Sequence, residues 1–309
     1  MIDVSIIIPT YNRLWSLEKA IESCRDTNCK TEIIVIDDGS TDGTWNWLQT
    51  QKDLICKKQF NCGKCEAVNH GFVLAKGKYI RFLDSDDMLN RSAMDEQFYI
   101  AEKENADLVV GGFSMISESG QIIKEIIWVN CDDFISQQLG ECDSSHYSAY
   151  LFNKEFINDI RHRAEFTFRD DRMFVLEAAL KNPRISIHSG ISLYHRQHQK
   201  PKLQDTLGLS QSVQNFQHLK LYQRILNCLE YENKLSQRRK NAAVNILWPL
   251  ANWTAKHNLQ EGLEIMNWIY KLNPAFVIPN RGLLGYMYKS LGFKRTQQVL
   301  KLRRFCKYG

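Results

Sequence analysis

Three carboxylates within four positions, Asp84, Asp86 and Asp87 with Ser85 among them, close the strand-like run Tyr79-Ile80-Arg81-Phe82-Leu83. Carboxylates so crowded repel one another and raise one another's pKa unless a cation neutralises them. Hard oxygen ligands two positions apart suit Mg²⁺ or Mn²⁺, and those ions suit a substrate that carries phosphates. The chemistry on offer is metal-assisted handling of a diphosphate compound. A second acidic strand end lies upstream, where Glu32-Ile33-Ile34-Val35-Ile36 runs into Asp37-Asp38-Gly39-Ser40-Thr41-Asp42. A turn with helix-capping side chains is the plainer account of that one, since Asp, Ser and Thr all serve as N-caps.

The elements that must position these residues follow from the apolar pattern. Val4-Ser5-Ile6-Ile7-Ile8 stops at Pro9-Thr10-Tyr11-Asn12, and helical spacing of Leu17, Ala20, Ile21 and Cys24 follows. Strand, polar loop, helix, strand is the pattern of a parallel sheet, whose strands are apolar on both faces because helices cover both sides. Ligands of open sheets sit beyond the carboxyl ends of the strands, where these polar clusters fall. The alternation continues through helix-like Lys64 to Ala75, strand-like Tyr79 to Leu83, helix-like Ser92 to Glu104 and strand-like Asp107 to Gly111. Phe113 to Ile116 and Gln121 to Val129, either side of Ser117-Glu118-Ser119-Gly120, predict a β-hairpin. Residues 132 to 200 mix short helices and strands, including Ala149 to Phe152 and Ile185 to Tyr194, so the sheet is expected to become mixed. After about Asp205 helical patterns dominate, from Leu209 to Tyr270, with Asn273-Pro274 and Ile278-Pro279-Asn280 as breakers. Residues 1–205 therefore read as an α/β catalytic body and 206–309 as a helical extension.

With 309 residues, 44% of them hydrophobic and 24% charged, the chain has the composition of a globular protein. There is no run of eighteen apolar residues and no signal-peptide pattern at the start, where Pro9 interrupts the apolar run, so a cytoplasmic protein is expected. Nine scattered cysteines then read as reduced thiols. Cys62-Gly63-Lys64-Cys65 has the spacing of a redox pair or half a zinc site, but no histidine completes it at finger-like spacing, and structural thiols are the expectation. The net charge of +5 is uneven. From Arg281 to Gly309 there are eight Lys or Arg and no acid, and setting those eight aside leaves 32 basic against 35 acidic residues.

Together, Val4-Ser5-Ile6-Ile7-Ile8-Pro9-Thr10-Tyr11-Asn12-Arg13, Ile34-Val35-Ile36-Asp37-Asp38-Gly39-Ser40-Thr41-Asp42 and the stretch from Ala75 to Asp87 resemble the inverting family 2 glycosyltransferases, whose fold is called GT-A. Arg169-Asp170-Asp171 and Leu193-Tyr194-His195-Arg196-Gln197-His198 follow in the matching order, and the resemblance covers roughly residues 1 to 200. It implies a GT-A fold, a mostly parallel sheet flanked by helices, with the helical region appended. It further implies a hexosyl- or hexosaminyltransferase that uses a nucleoside-diphosphate sugar, UDP-linked by expectation, with Mn²⁺ or Mg²⁺. Carried over residue by residue, Pro9, Tyr11 and Asp38 line the nucleoside pocket; a carboxylate can accept from a base imide or ribose hydroxyl, and a tyrosine offers a ring face. Asp84 and Ser85 touch the donor, Asp86 ligates the metal, and His198 completes the shell or contacts the diphosphate. The resemblance implies a general base at the start of a later helix, matched by Asp171 and then Asp170, where the family more often has Glu at the first of the two.

The acceptor implied is a hydroxyl of a growing surface glycan or lipid-linked oligosaccharide. In the tail, Leu284, Met287, Tyr288 and Leu291, then Val299, Leu302 and Cys306, follow helical spacing with cations between them. Residues 281–309 thus read either as a helix packed on the body or as a basic amphipathic segment for an anionic membrane surface, peripheral at the inner face of the cytoplasmic membrane. Nucleic acid is not an expected partner, because no reading module accompanies the basic tail. A catalytically silent sugar-nucleotide-binding protein is the alternative function, against which the presence of both Asp86 and Asp171 argues. A phosphoacceptor receiver fits neither the length nor the second acidic cluster. No Gly-x-Gly-x-x-Gly follows the first strand and no Gly-x-x-x-x-Gly-Lys-Ser/Thr occurs, so dinucleotide and P-loop chemistry lose their main signal.

Overall fold

A computed structural model describes residues 1–200 and 210–308, without the side chains of 210 and 304–308. The β-branched runs form β1 (Val4–Thr10), β2 (Thr31–Asp37), β3 (Ile55–Lys58) and β4 (Tyr79–Phe82), all parallel, with β2 and β4 on either side of β1. Crossover helices α1 (Leu14–Glu22), α2 (Thr44–Leu48) and α3 (Lys64–Leu74) cover them, which is why β1 is buried at every position. Pro9 can sit in this central strand because its missing N–H falls on the β4 side, beyond the last pair, Ile7 with Phe82. Gly71 lets α3 press against β1: a Cβ there would lie 2.5 Å from Ile7 Cγ2.

Short β5 (Met88–Leu89) and α4 (Arg91–Glu104) lead to β6 (Leu108–Ile116), which turns at Gly120, φ 87°, into β7 (Ile122–Ile126). The strand expected to end at Gly111 and the hairpin arm from Phe113 are one element, carried through Gly111 and Gly112 by register shifts against β9. Next come α5 (Phe134–Leu139), β8 (Leu151–Asn153), α6 (Asp170–Leu180) and β9 (Ile185–Arg196). The strands run β3-β2-β1-β4-β8-β6-β9-β5, with β7 paired to β6. β8 is antiparallel to both β4 and β6, whereas β9 is parallel to β6, so the sheet becomes mixed where the sequence changes texture.

The chain divides into two compact units: Met1–Asp132 with Asp143–Gln217, and Asp133–Cys142 with His218–Gly309. The boundary expected at 205/206 and the start of a helical pattern at Leu209 lie outside the described residues. The second unit gathers α5, α7 (Ser210–Tyr231) from His218 on, α8 (Gln237–His257), α9 (Leu259–Leu272) and α10 (Gly282–Tyr308). Leu221, Tyr222 and Ile225 of α7, Leu247 and Ala251 of α8 and Ile269 of α9 are buried in it. Gly262 allows α9 to approach α8 closely, since a Cβ would meet Ala255 Cβ at 2.5 Å. Asp133 caps α5 by accepting from the Ser136 amide and ion-pairs with Arg239 of α8 at 2.9 Å. α10 is two helical pieces broken at Gly292, φ 72°.

Candidate active site

The polar clusters gather at the carboxyl ends of β1, β2 and β4. Leu83 still donates to Ile7 O, and the chain then turns, with the Asp87 amide donating to Asp84 O at 3.0 Å. Ser16 of α1 donates to Ser85 O at 2.8 Å, which anchors that turn with Ser85 buried. Each carboxylate of the turn has a different cationic or imidazole neighbour. Asp84 Oδ1 is 2.5 Å from Lys64 Nζ, Asp86 Oδ2 is 3.6 Å from Arg13 Nε and 3.1 Å from His198 Nε2, and buried Asp87 faces His195 Nδ1 at 3.1 Å. Asp87 also accepts from the Arg196 amide at 2.9 Å, so it ties the end of β9 to the turn.

Electrostatics here is a contest between burial and partners. Burial works to raise the Asp84 pKa, but the Lys64 charge and then His146 outweigh it and hold the carboxyl below 3.8. Burial likewise works against the Lys64 ammonium, yet Asp84, Asp171 and Asp170 together keep it above its ordinary value. Burial pushes His146 below its ordinary range, whereas at His195 the bond to Asp87 and its charge overcome burial and push the imidazole up.

The residues fit a divalent cation. Donor atoms of Asp84, Asp86 and Asp87 lie within 4.8 Å of one another. The 3.1 Å between Asp86 Oδ2 and His198 Nε2 matches neighbouring positions in an octahedral shell, about 3 Å apart for bonds of about 2.1 Å. His198 is held with its side chain 1% exposed, against the edge of Trp15 at 4.8 Å, and its buried Nδ1 has no hydrogen-bond partner among the described residues. Asp87, His146 and His195 form a second such group, in which the two imidazoles stack at 5.0 Å.

Beside this turn, Tyr11 is 44% exposed at the end of β1. Asn12, at φ 51°, latches the β1 and β2 loops together, its amide donating to Ser40 Oγ and its Oδ1 accepting from the Thr41 amide. Asp38 is buried and already occupied: its oxygens accept from Gln59 Nε2 at 2.8 Å, the Cys62 amide at 2.9 Å and the Gly63 amide at 2.8 Å. Three of a carboxylate's roughly four acceptor positions are thereby used. Asp38 thus shapes the loop that opens α3 and leaves about one position for a ligand. Cys62 and Cys65 flank that loop; Cys62 is exposed, and burial pushes the Cys65 thiol far above its ordinary value. Among the described residues no cysteine joins a group able to hold a metal.

Asp170 and Asp171 open α6, where the helix N-terminus favours acids. Their surroundings differ. Asp170 is 4% exposed and accepts from the Arg163 amide at 2.6 Å and bonds His162 Nδ1. His162 Nε2 in turn meets the Tyr147 hydroxyl at 2.8 Å, and its ring stacks on Phe174 at 4.5 Å. The His162 backbone is clasped at both ends by Asn69 of α3. Fully buried Arg81 donates to Ser148 O at 3.0 Å and to Gln97, fixing the turn that carries Tyr147; burial pushes its pKa down to about 9. Asp171 is half-buried, and its Oδ1 accepts from the adjacent Arg172 amide. The charges of Asp84, Asp170 and Asp171 all act on Tyr147 and on Lys64, so the acids of the β4 turn and of the start of α6 lie within electrostatic reach of the same two side chains.

Lys64, Arg13, His195 and the His162–Tyr147 pair are the functional candidates that sequence reasoning missed. A lysine one position past a glycine that opens a helix was a readable signal. For His162, 93 residues from its clasp at Asn69, the sequence holds none.

Residues 5–161 match the family model described as Glycosyl transferase family 2. The chain is 28% identical over 208 residues to the poly(ribitol-phosphate) beta-N-acetylglucosaminyltransferase TarP of Staphylococcus aureus, covering 62% of each. It is 28% identical over 246 residues to the GalNAc(5)-diNAcBac-PP-undecaprenol beta-1,3-glucosyltransferase of Campylobacter jejuni, covering 76% of each. The match to the staphylococcal relative spans less than two thirds of that protein's length. Among solved structures, S. aureus TarS 1-349 in complex with UDP-GlcNAc superposes with a TM-score of 0.55 at 17% identity, over 98% of this chain and 92% of that one, a likeness of fold.

Proposed function

The chain belongs to glycosyl transferase family 2, with the GT-A fold, and we propose that it moves a sugar from a nucleoside diphosphate, UDP by preference, to a hydroxyl of a surface glycan or lipid-linked oligosaccharide. One observation supports this reading most: the carboxylate turn at the end of β4 carries ligand-spaced Asp86 and His198, and its Lys64 neighbour also feels the charge of Asp171. The acceptor class is supported by relatives whose names specify poly(ribitol-phosphate) and an undecaprenol-linked glycan. Such an acceptor suits a station at the inner face of the cytoplasmic membrane.

Tyr11 offers its ring to the base, and Pro9 and the Asp38 loop close the nucleoside side. Asp86 and His198 would hold Mn²⁺ or Mg²⁺ with Asp84 and Ser85 at the donor; when bound, the ion offsets the charge that grows on the leaving diphosphate. Lys64 and Arg13 supply fixed positive charge beside the same phosphates. Asp171, with its carboxylate half open and at the helix start, takes the proton from the attacking hydroxyl, and attack opposite the leaving group inverts the anomeric centre. Asp170 does not take that part in this reading, because its carboxylate is spent on His162 and Arg163.

The test is release of nucleoside diphosphate from a panel of sugar nucleotides with Mn²⁺, Mg²⁺ or chelator, comparing wild type with Asp86→Ala and Asp171→Ala. Chelator-sensitive release from one donor, abolished by Asp86→Ala, is the expected result. Absence of both turnover and calorimetric binding across the panel would sink the reading, while binding without turnover by any acceptor would favour a silent module.

A further inference from the structure

Spacing alone puts Val299 and Leu302 on an apolar seam, which ordinarily packs inward. Beyond the break at Gly292, α10 buries Phe293 but turns this seam outward. Thr296 and Gln297 are 0% and 1% exposed, while Val299 is 43% and Leu302 67% exposed. Gln297 is held inside by Asn252 Oδ1 at 2.9 Å and the Tyr288 hydroxyl at 2.8 Å. The piece before the break also leaves Leu283 and Tyr286 largely uncovered. Apolar groups left out on successive turns while polar ones are buried mark an interaction face.

The charge around that face says what covers it. Arg281, Lys289, Lys294, Arg295, Lys301 and Arg303 are all exposed, and none is ion-paired with a carboxylate among the described residues. No acid occurs from 281 to 309. A second copy of α10 would meet it with like charge, whereas an anionic surface neutralises it. Interleaved cations and Leu, Val and Tyr side chains are the composition of a segment that lies in a lipid headgroup layer. No described helix is long and apolar enough to cross a membrane.

We propose that the outward face of α10 docks the protein on an anionic lipid surface, with Leu283, Tyr286, Val299 and Leu302 entering the headgroup layer and the flanking cations meeting lipid phosphates. The inference supplies a partner to the transferase reading on which it rests, and its test uses neither donor nor turnover, so either can fail alone. The experiment is co-sedimentation of the whole chain with vesicles of phosphatidylglycerol in phosphatidylcholine, and of phosphatidylcholine alone. Binding to the anionic vesicles only, weakened by salt, is expected. Neutralising Lys294 and Arg295 to Gln should weaken it about thirtyfold, from roughly fivefold per cation, and Val299→Ser with Leu302→Ser should weaken it further. These positions are exposed, so unchanged circular dichroism melts are expected to accompany the loss. Equal binding to neutral vesicles, no binding, or unchanged binding by both variants would overturn the proposal. So would a dimer in lipid-free sedimentation that Leu302→Ser dissociates.

Discussion

A divalent cation held by Asp86 and His198 would be repelled by the Lys64 ammonium, which lies 2.5 Å from Asp84 Oδ1 in the same turn as Asp86. Lys64→Met removes that repulsion and is expected to tighten Mn²⁺ binding to the donor-free protein about tenfold, read by electron paramagnetic resonance, while weakening donor turnover. Unchanged Mn²⁺ affinity would remove Asp84 from the metal's neighbourhood. The two acids of α6 should separate just as cleanly. Asp171→Asn should lower donor turnover by about 10² to 10⁴ with little change in melting temperature. Asp170→Asn instead disturbs a buried bond to His162 and should cost about 1–3 kcal/mol of stability, read by denaturant titration; the reverse pattern would make Asp170 the base. At this scale the crowded acids were legible, because unneutralised charge at such density needs a partner wherever the chain goes. Their partners were legible only in part: His198 and the lysine after a helix-opening glycine left a signal, whereas His162 and Tyr147 reach the site only through tertiary contacts.

Among the elements, α3 carries Lys64 at its start and presents Asn69 to His162, so its seat on β1 bears on the whole site. That seat depends on Gly71, where a Cβ would come 2.5 Å from Ile7 Cγ2, a β-branched side chain of a central strand with no room to retreat. Gly71→Ala should therefore destabilise by about 1–3 kcal/mol through overpacking, although alanine is the better helix former. A denaturation midpoint unchanged or raised would show that β1 yields. β1, β2 and β4 were legible as apolar runs because both of their faces are buried. β5, at two residues, is too short to show a period, whereas β8 overlaps the short element read at Ala149 to Phe152 and ends one residue later. β6 looked like two strands because Gly111 and Gly112 read as punctuation; they are small because Ser192 and Ile126 O crowd them, and the strand continues through.

For the molecule as a whole, the division into units is not a single cut along the sequence, because Asp133–Cys142 belongs with the helices after His218. The sequence hides this, since α5 is six residues long and buried all round, polar Ser136, Gln137 and Gln138 included, so it has no amphipathic period. What ties it in is chemical: Asp133 accepts from the Ser136 amide and pairs with Arg239, Glu141 pairs with Arg238, and Leu139 O accepts from the Tyr222 hydroxyl. Burial works to raise the Asp133 pKa, but the Arg239 and Ser136 hydrogen bonds prevail and hold it below 3.8. A carboxyl depressed in the folded state stabilises above its ordinary pKa, and that contribution fades as pH falls below 3.8 through the folded value. Asp133→Ala should thus lower the stability of α5 and α8 at neutral pH by about 0.5–2 kcal/mol, the usual worth of a cap. Wild type and variant should converge as the pH drops below 3.8. Hydrogen exchange along α8 reads this directly, because its slowest amides report the opening of the second unit. Protection equal in the two proteins at neutral pH, or a gap that persists in acid, would mean that α5 is held by its apolar residues and not by the Asp133 carboxylate.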